Sequence, residues 1–183
     1  MKKLLIIAMV GIVAACAASS QDAVISIFPN VTASNIGDGI SLSISVEDSR
    51  ATGVIGTYGE GGQISTSQDM AMTLGVALVD SFSKMGFNVR GSDSAGAVHM
   101  HVFLEDLHYT MDGGTITTDV ETNTRVRVEA VDKGFNRTYS NSEERKIPFS
   151  SNPATNNSQL SNTLNTTVQR IVSDSELIEA LKR

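Results

Sequence analysis

The chain has 183 residues, of which 40% are hydrophobic and 19% are charged, a composition that suits a single compact domain with a buried core. Asp and Glu outnumber Lys and Arg by 20 to 14, so the formal net charge is -6 at pH 7. Because binding to nucleic acid depends on clustered Lys and Arg, and no basic run follows Lys2 and Lys3, the composition excludes a nucleic-acid partner.

The first fifteen residues have the pattern of a secretory signal peptide. A short positive start, Met1 to Lys3, is followed by an apolar run from Leu4 to Val13 that is interrupted by Gly11. The run is too short to cross a bilayer, which takes about 20 apolar residues. We therefore predict that residues 1–15 are removed by cleavage between Ala15 and Cys16.

Cys16, the only cysteine in the chain, is the predicted site of lipid attachment. The sequence Val13-Ala14-Ala15-Cys16 resembles the lipobox of bacterial lipoproteins. This resemblance implies that the thiol receives a diacylglycerol and that the new amino group is acylated. Several acyl chains on one residue give a durable anchor, whereas one chain binds only marginally. The alternative is an ordinary signal peptide with a chance cysteine.

The residues after the cysteine predict a destination and a tether. Residues 17–20 contain no aspartate, which by resemblance to sorted lipoproteins favours the outer membrane, with the domain facing the periplasm. We expect residues 16–23 to form the lipidated cysteine and a short tether, and residues 24–183 to form one domain.

The first half of the domain is predicted to contain two strands and a helix. Residues 24–28 suggest a strand that ends at Pro29, and residues 40–47 alternate with a period of two. Glycines between 53 and 62 indicate a loop or loose hairpin. A helix follows, with N-caps among residues 65–67 and Gln68 completing a capping box, and it ends at Gly86. Its predicted core positions are Met70, Leu74, Ala77, Leu78 and Met85, widened by Met72, Val76, Val79 and Phe82.

The second half is predicted to contain three strands and two helices. The inward face of the first strand is Val98, Met100, Val102 and Leu104. Residues 115–131 and 136–147 form a hairpin that turns at residues 132–134. A polar loop spans residues 148–157, and a helix begins near Ser158 with an apolar stripe formed by Leu160, Leu164, Val168, Ile171 and Val172. A capping box at Ser173 and Glu176 starts a short last helix. The predicted fold is α+β, a mixed or antiparallel sheet of about five strands with two main helices on one face and a short C-terminal helix.

The chain resembles the YajG family of bacterial outer-membrane lipoproteins. The matching segments are the lipobox, residues 46–50 (VEDSR), the stretch from 67–69 (SQD) to 84–89 (KMGFNV), and residues 174–182 (DSELIEALK). The resemblance implies an outer-membrane lipoprotein with no established catalytic activity, and it transfers no active site.

Four residues on predicted polar strand faces are candidates for a ligand or partner surface: His99, His101, Arg125 and Arg127. The histidines share a face with Glu105, and His108 lies nearby, but a zinc site needs three or four converging ligands. We predict no metal, no cofactor and no catalytic residues, since neither a nucleophile elbow nor a phosphate-binding loop is present. Asp48 and Arg50 are expected to form a surface ion pair or turn stabiliser.

The leading functional expectation is a non-enzymatic, lipid-anchored module that faces the periplasm. Its partners would be the membrane, through its lipid, and another envelope protein or peptidoglycan. The alternative is an envelope hydrolase that acts on peptidoglycan or lipid, which requires titratable groups converging in a cleft.

Overall fold

The computed structural model describes residues 20–58, 61–91, 96–113, 117–148 and 152–183. Within these ranges it contains eight strands and three α-helices. The strands are β1 (Ser20–Asp22), β2 (Ser41–Asp48), β3 (Val54–Tyr58), β4 (Gly62–Ser65), β5 (Asn88–Arg90), β6 (Val98–Gly113), β7 (Thr117–Ala130) and β8 (Phe135–Pro148). The helices are α1 (Met70–Lys84), α2 (Pro153–Val172) and α3 (Ser175–Lys182). The predicted α+β class is confirmed, with more strands than the five or so expected.

The sheet is mixed and is organised around β6. One edge of β6 pairs in parallel with β2 over residues 98–104 and touches β3 at Tyr109. Its other edge pairs antiparallel with β7, which pairs antiparallel with β8. The short strands β5, β4 and β1 complete the order β1-β4-β3-β6-β2-β5. The long hairpin of β7 and β8 turns at Val131–Lys133, where Gly134 adopts the left-handed conformation, as the glycine at 134 predicts.

All three helices lie on the core side of the sheet. In β7 every second residue from Thr118 to Ala130 is buried, and α2 packs on this side of β7 and β8. The helix α1 packs on β2, where Val46 approaches Gly75. A bulge between Leu104 and Asp106 shifts the alternation in β6, so the buried positions change from 100, 102 and 104 to 107 and 109.

The helix starts differ from the predicted ones. The N-cap of α1 is Asp69, whose carboxylate accepts from the Met72 N–H, and not a residue of the 65–68 capping box. The helix α2 begins at Pro153 after the N-cap Asn152, so the predicted loop at 148–157 ends early. Proline is favourable at the first helical position because the backbone N–H that it lacks would have no partner within the helix. The N-cap of α3 is Asp174 and not Ser173.

The predicted apolar face of α1 also differs from the structure. Phe82 is buried as expected, but Met72, Val76 and Val79 are exposed to solvent rather than packed on the sheet. The predicted stripe was therefore too wide, because residues three and four apart continue around the helix and the sheet covers one side of it.

Residues 23–30 are extended, but they do not form the predicted first strand. Ala23, Ile25 and Ile27 point into the core, whereas the backbone from Ile25 onward bonds to the side chains of Gln68, just before α1, and of α2. Gln68 pairs with both the N–H and the carbonyl of Ile25. Asn165 of α2 accepts from the Phe28 N–H at 2.6 Å and donates to the Ser26 carbonyl at 3.0 Å. Side-chain amides from the loop before α1 and from α2 therefore hold this segment in place.

The fold starts earlier along the chain than the predicted boundary at residue 24. Ser20–Asp22 pairs in parallel with Gln63–Ser65, and Gln21 is buried between the amides of Asn156 and Asn157. Four residues assigned to the tether thus belong to the folded unit. Among the described residues, no helix is long and apolar enough to span a membrane.

Candidate functional site

The sheet face opposite the helices is the candidate site, and we call it the outer face. It is built from the residues of β2, β6, β7 and β8 that alternate with the core positions. Its central members are Ser45 and Glu47 of β2, His99, His101, Phe103 and Glu105 of β6, Arg125, Arg127 and Glu129 of β7, and Asn136, Thr138, Ser140 and Ser142 of β8. All four candidate residues predicted from the sequence therefore lie on one surface.

The two histidines lie at the β2 side of this face. The Nδ1 atom of His101 and the Ser45 hydroxyl form a hydrogen bond of 2.7 Å. On the other side of β6, His101 is aligned with Glu129 of β7. His99 is aligned with Ser43 of β2. Within the described ranges, no group of three or more His, Cys, Asp and Glu side chains is close enough to hold a metal ion.

Arg127 is the centre of a charge cluster. Its Nε donates to Glu105 at 2.7 Å, its Nη1 bonds Glu129, and its guanidinium lies 4.0 Å from the ring centre of Phe103. The hydrogen bond to Glu105 and the charge of Glu129 raise the pKa of Arg127. Glu105 is thus bonded to Arg127, whereas the hydrogen-bond partner of His101 is Ser45.

Arg125 is the exposed arginine of the face. No other described residue forms a hydrogen bond or ion pair with its guanidinium, in contrast to Arg127 two residues along the same strand. It lines a shallow depression with Asp106, Asn123, Ser140 and Ser142. A guanidinium offers five N–H donors in a planar fork, which matches a carboxylate or phosphate. The depression therefore presents an arginine with no ion pair among the described residues, flanked by the Asp106 carboxylate and by hydroxyl and amide groups.

The far end of the outer face is acidic, a feature that the sequence analysis did not single out. A second depression between β6, β7 and β8 is lined by Asp112, Asp119, Glu121 and Glu144, together with Lys146 and Arg145. Lys146 lies 3.5 Å from Asp119. The face thus changes from mixed charge at Arg127 to mainly negative charge at the β6–β7 turn.

Asp48 and Arg50 form a bidentate pair at the end of β2. The Nε and Nη2 atoms of Arg50 donate to the two carboxylate oxygens at 2.7 and 2.6 Å. The Arg50 side chain is only 8% exposed, so the pair is more buried than the surface ion pair predicted from the sequence. The hydrogen bond from Arg50 lowers the pKa of Asp48.

Ala15 and Cys16, the predicted cleavage and lipid-attachment residues, lie outside the residues that the structure describes. The structure shows instead where the chain enters the fold. Asp22 accepts from both the backbone N–H and the hydroxyl of Ser67, at 2.7 and 2.6 Å, just before α1. The anchor point predicted at Cys16 is therefore followed closely by the start of β1.

Comparison with known proteins gives a family and a distant likeness. No curated protein matches the chain. A crystal structure of an uncharacterized protein is 10% identical and covers 85% of this chain and 99% of that one, with a TM-score of 0.36. A crystal structure of a putative neuraminyllactose-binding hemagglutinin homolog from Helicobacter pylori is 7% identical and covers 87% and 94%, with a TM-score of 0.41. A family model described as "Uncharacterized lipoprotein" matches residues 29–182, and the chain belongs to that family of lipoproteins.

Proposed function

We propose that this chain is a YajG-type outer-membrane lipoprotein, anchored through Cys16, whose periplasm-facing outer face binds an envelope partner without catalysing a reaction. Membership of a lipoprotein family supports the anchor, as does the signal-peptide pattern that ends at Cys16. The absence of aspartate at residues 17–20 supports sorting to the outer membrane.

The observation that carries the binding role is Arg125. Its guanidinium is exposed, and within the described part of the chain no carboxylate forms an ion pair with it, although Asp106 is its aligned partner on β6. The neighbouring Arg127 is bonded to two glutamates and lies over an aromatic ring, so its charge is already paired, in contrast to that of Arg125. A bidentate contact to a carboxylate is the interaction that this arrangement favours. Both candidate partners carry carboxylates: the peptide stems of peptidoglycan, and the acidic side chains of an envelope protein.

One contact favours the hydrolase alternative: the His101 Nδ1 lies 2.7 Å from the Ser45 hydroxyl, within reach of a general base beside a nucleophile. The nearby carboxylates that would orient the imidazole, Glu105 and Glu129, are bonded to Arg127 instead. We therefore develop only the binding role.

The experiment compares the lipidated wild type with Arg125→Ala and with Lys182→Ala, an exposed lysine on α3, which removes the same charge elsewhere. Co-sedimentation with purified peptidoglycan tests the cell-wall partner. A photo-crosslinking residue at Ser140, beside Arg125, tests a protein partner in intact cells. We expect Arg125→Ala to weaken one of these interactions about tenfold or more, since a charge-assisted hydrogen bond contributes about 1.5–3 kcal/mol. Equal behaviour of the two variants in both assays would contradict the proposal.

A further inference from the structure

A patch of exposed apolar side chains lies on α1 and on the extended segment beside it. We define the apolar patch as Phe28, Met72, Val76 and Val79. Phe28 is 82% exposed, Met72 67% and Val76 62%. The first three line one groove, whose floor is formed by Ile25, Ile27 and Ala77. Exposed apolar side chains that adjoin one another, unlike apolar side chains scattered singly, are typical of interaction sites.

The apolar patch lies at the end of the molecule where the chain enters the fold. Asp22 is hydrogen-bonded to Ser67, and α1 starts three residues later at Met70. Met72 lies two residues into α1, about 3 Å along the helix axis from Met70 at 1.5 Å per residue. The extended segment leads from Asp22 directly to Phe28 across α1. The patch and the entry point of the chain thus share one side of the protein.

The sequence limits how far the lipid can be from this side. Cys16 precedes Ser20 by four residues. Even a fully extended chain of that length spans at most about 14 Å. A bilayer that holds acyl chains on Cys16 must therefore come within that distance of β1, whose Asp22 is hydrogen-bonded to Ser67 just before α1.

The chemistry of the apolar patch suits a lipid interface. Asp80 is the charged residue that lines the groove, and it is paired with Lys84 at 2.7 Å. Several backbone polar groups of the extended segment are also hydrogen-bonded. Gln68 bonds both the N–H and the carbonyl of Ile25, and Asn165 bonds the Ser26 carbonyl and the Phe28 N–H. Since an unsatisfied backbone group is costly in an apolar medium, these side-chain amides lower the cost of placing the segment against lipid.

We propose that the apolar patch inserts into the membrane interface and forms a second attachment beside the acylated Cys16. The inference rests on the lipid anchor of the proposed function. Stable anchoring commonly combines a lipid with a second element, and here four apolar side chains supply it. The contact fixes the orientation of the protein, with α1 on the bilayer and the outer face, on the other side of the sheet, turned away from it.

The test uses the full-length lipidated protein with a single added thiol, Val76→Cys, labelled with an environment-sensitive fluorophore. Because the thiol of Cys16 is consumed by the diacylglycerol, only the added thiol reacts. The matched control is Thr138→Cys, an exposed position on the outer face. Both are reconstituted into vesicles of phosphatidylethanolamine and phosphatidylglycerol that contain lipids with a quencher near the headgroup.

We expect the label at Val76 to shift to the blue and to be quenched at least about twofold more than the label at Thr138, as for a side chain at the acyl boundary. Equal quenching at the two positions would overturn the inference. A label at Val76 that is shielded without lipid quenching, in particles of twice the protomer mass or crosslinked to another protein, would also overturn it in favour of that occupant. Intact mass measured on the same samples separates the two proposals: an unlipidated Cys16 defeats the anchor, whereas a lipidated protein with a water-exposed Val76 defeats only the insertion.

Discussion

Tyr139 of β8 donates its hydroxyl to Asp174 Oδ2 at 2.6 Å, and Asp174 is the N-cap of the last helix. Arg137 of β8 donates to the same oxygen at 2.6 Å. The other carboxylate oxygen accepts from the backbone N–H groups of Glu176 and Leu177. One carboxylate therefore starts α3 and fastens it to the edge of the sheet.

Replacing Asp174 with alanine is predicted to destabilise the protein by about 2–3 kcal/mol. Loss of an N-cap costs about 1 kcal/mol, and the hydroxyl of the buried Tyr139 would lose its acceptor. Asp174→Asn keeps a cap acceptor and should cost less. Urea unfolding followed by circular dichroism measures the change, with Glu179→Ala, an exposed position on the same helix, as the control. Equal midpoints for Asp174→Ala and the control would contradict this role.

Acid is predicted to destabilise the protein below about pH 4. The hydrogen bond from Arg50 lowers the pKa of Asp48 from its ordinary value of 3.8. Burial acts to raise the pKa of Asp174, but hydrogen bonds from Tyr139, Leu177 and Arg137 outweigh it, so this pKa is also lowered. With both values depressed in the folded state, the unfolded chain binds protons first. The stabilisation is complete above the unfolded value near 3.8 and is lost as the pH falls through the folded values.

The measurement is the free energy of unfolding from pH 7 to pH 3 for the wild type and for Asp48→Asn. The variant should be less stable at pH 7 and should lose less stability in acid, because one of the carboxylates with a lowered pKa is gone. Asp132→Asn, in the exposed turn between β7 and β8, serves as the control and should keep the wild-type slope. An unchanged slope in Asp48→Asn would show that its pairing with Arg50 does not contribute.

Two buried threonines on β7 should respond in opposite directions to the same substitution. The Thr122 hydroxyl is buried and has no hydrogen-bond partner among the described residues, whereas the Thr124 hydroxyl is bonded to Thr167 of α2. Thr122→Val should therefore be neutral or stabilising, since it removes an unsatisfied polar group. Thr124→Val should cost about 0.5–1.5 kcal/mol, the net value of a hydrogen bond. Thermal unfolding of the matched pair checks the prediction, which fails if Thr122→Val is the more destabilised variant.

Gly56 and Gly53 offer a second matched pair. A Cβ at Gly56 would overlap the carbonyl oxygen of Tyr109, where β3 meets β6, whereas a Cβ at Gly53 would meet no atom within 4 Å. Gly56→Ala should thus destabilise by about 1–3 kcal/mol or more, as overpacking does. Gly53→Ala should change stability by less than about 0.5 kcal/mol. Chemical unfolding of both variants tests this, and similar values would show that β3 and β6 are not in such close contact.

The sequence predicted the elements whose pattern is local. The alternation at 98–104 identified the buried face of β6, and Leu160, Leu164 and Val168 identified the buried face of α2. Both signals depend on one element and its own periodicity. They therefore do not require knowledge of the partner.

Features that depend on a distant partner were missed or misread. Residues 24–28 look like a strand, but their hydrogen bonds go to Gln68 and to α2, a choice that only tertiary packing makes. The exposure of Met72 and Val76 likewise follows from which side of α1 the sheet covers. In retrospect the sequence indicates the bulge after Leu104, because the apolar Leu107 and Tyr109 are odd-numbered, whereas the buried residues before them are even-numbered.

The candidate site was predicted in part. The outer face contains His99, His101, Arg125 and Arg127, as the alternation indicated. The sequence did not distinguish the two arginines, because both alternate with buried residues in the same strand. Arg127 is engaged by Glu105 from across the strand pair, and Arg125 stays exposed. The bulge at residues 104–106 shifts the register of β6 against β7 at this point.

The most direct test of the account is the intact mass and N-terminal peptide of the mature protein purified from membranes. The account predicts a chain that begins at Cys16 and carries a diacylglycerol on the thiol and an acyl group on the amine. Cys16→Ser should lack these groups and leave the outer-membrane fraction. A mature chain that begins at another residue, or that carries an unmodified Cys16, would contradict the central claim.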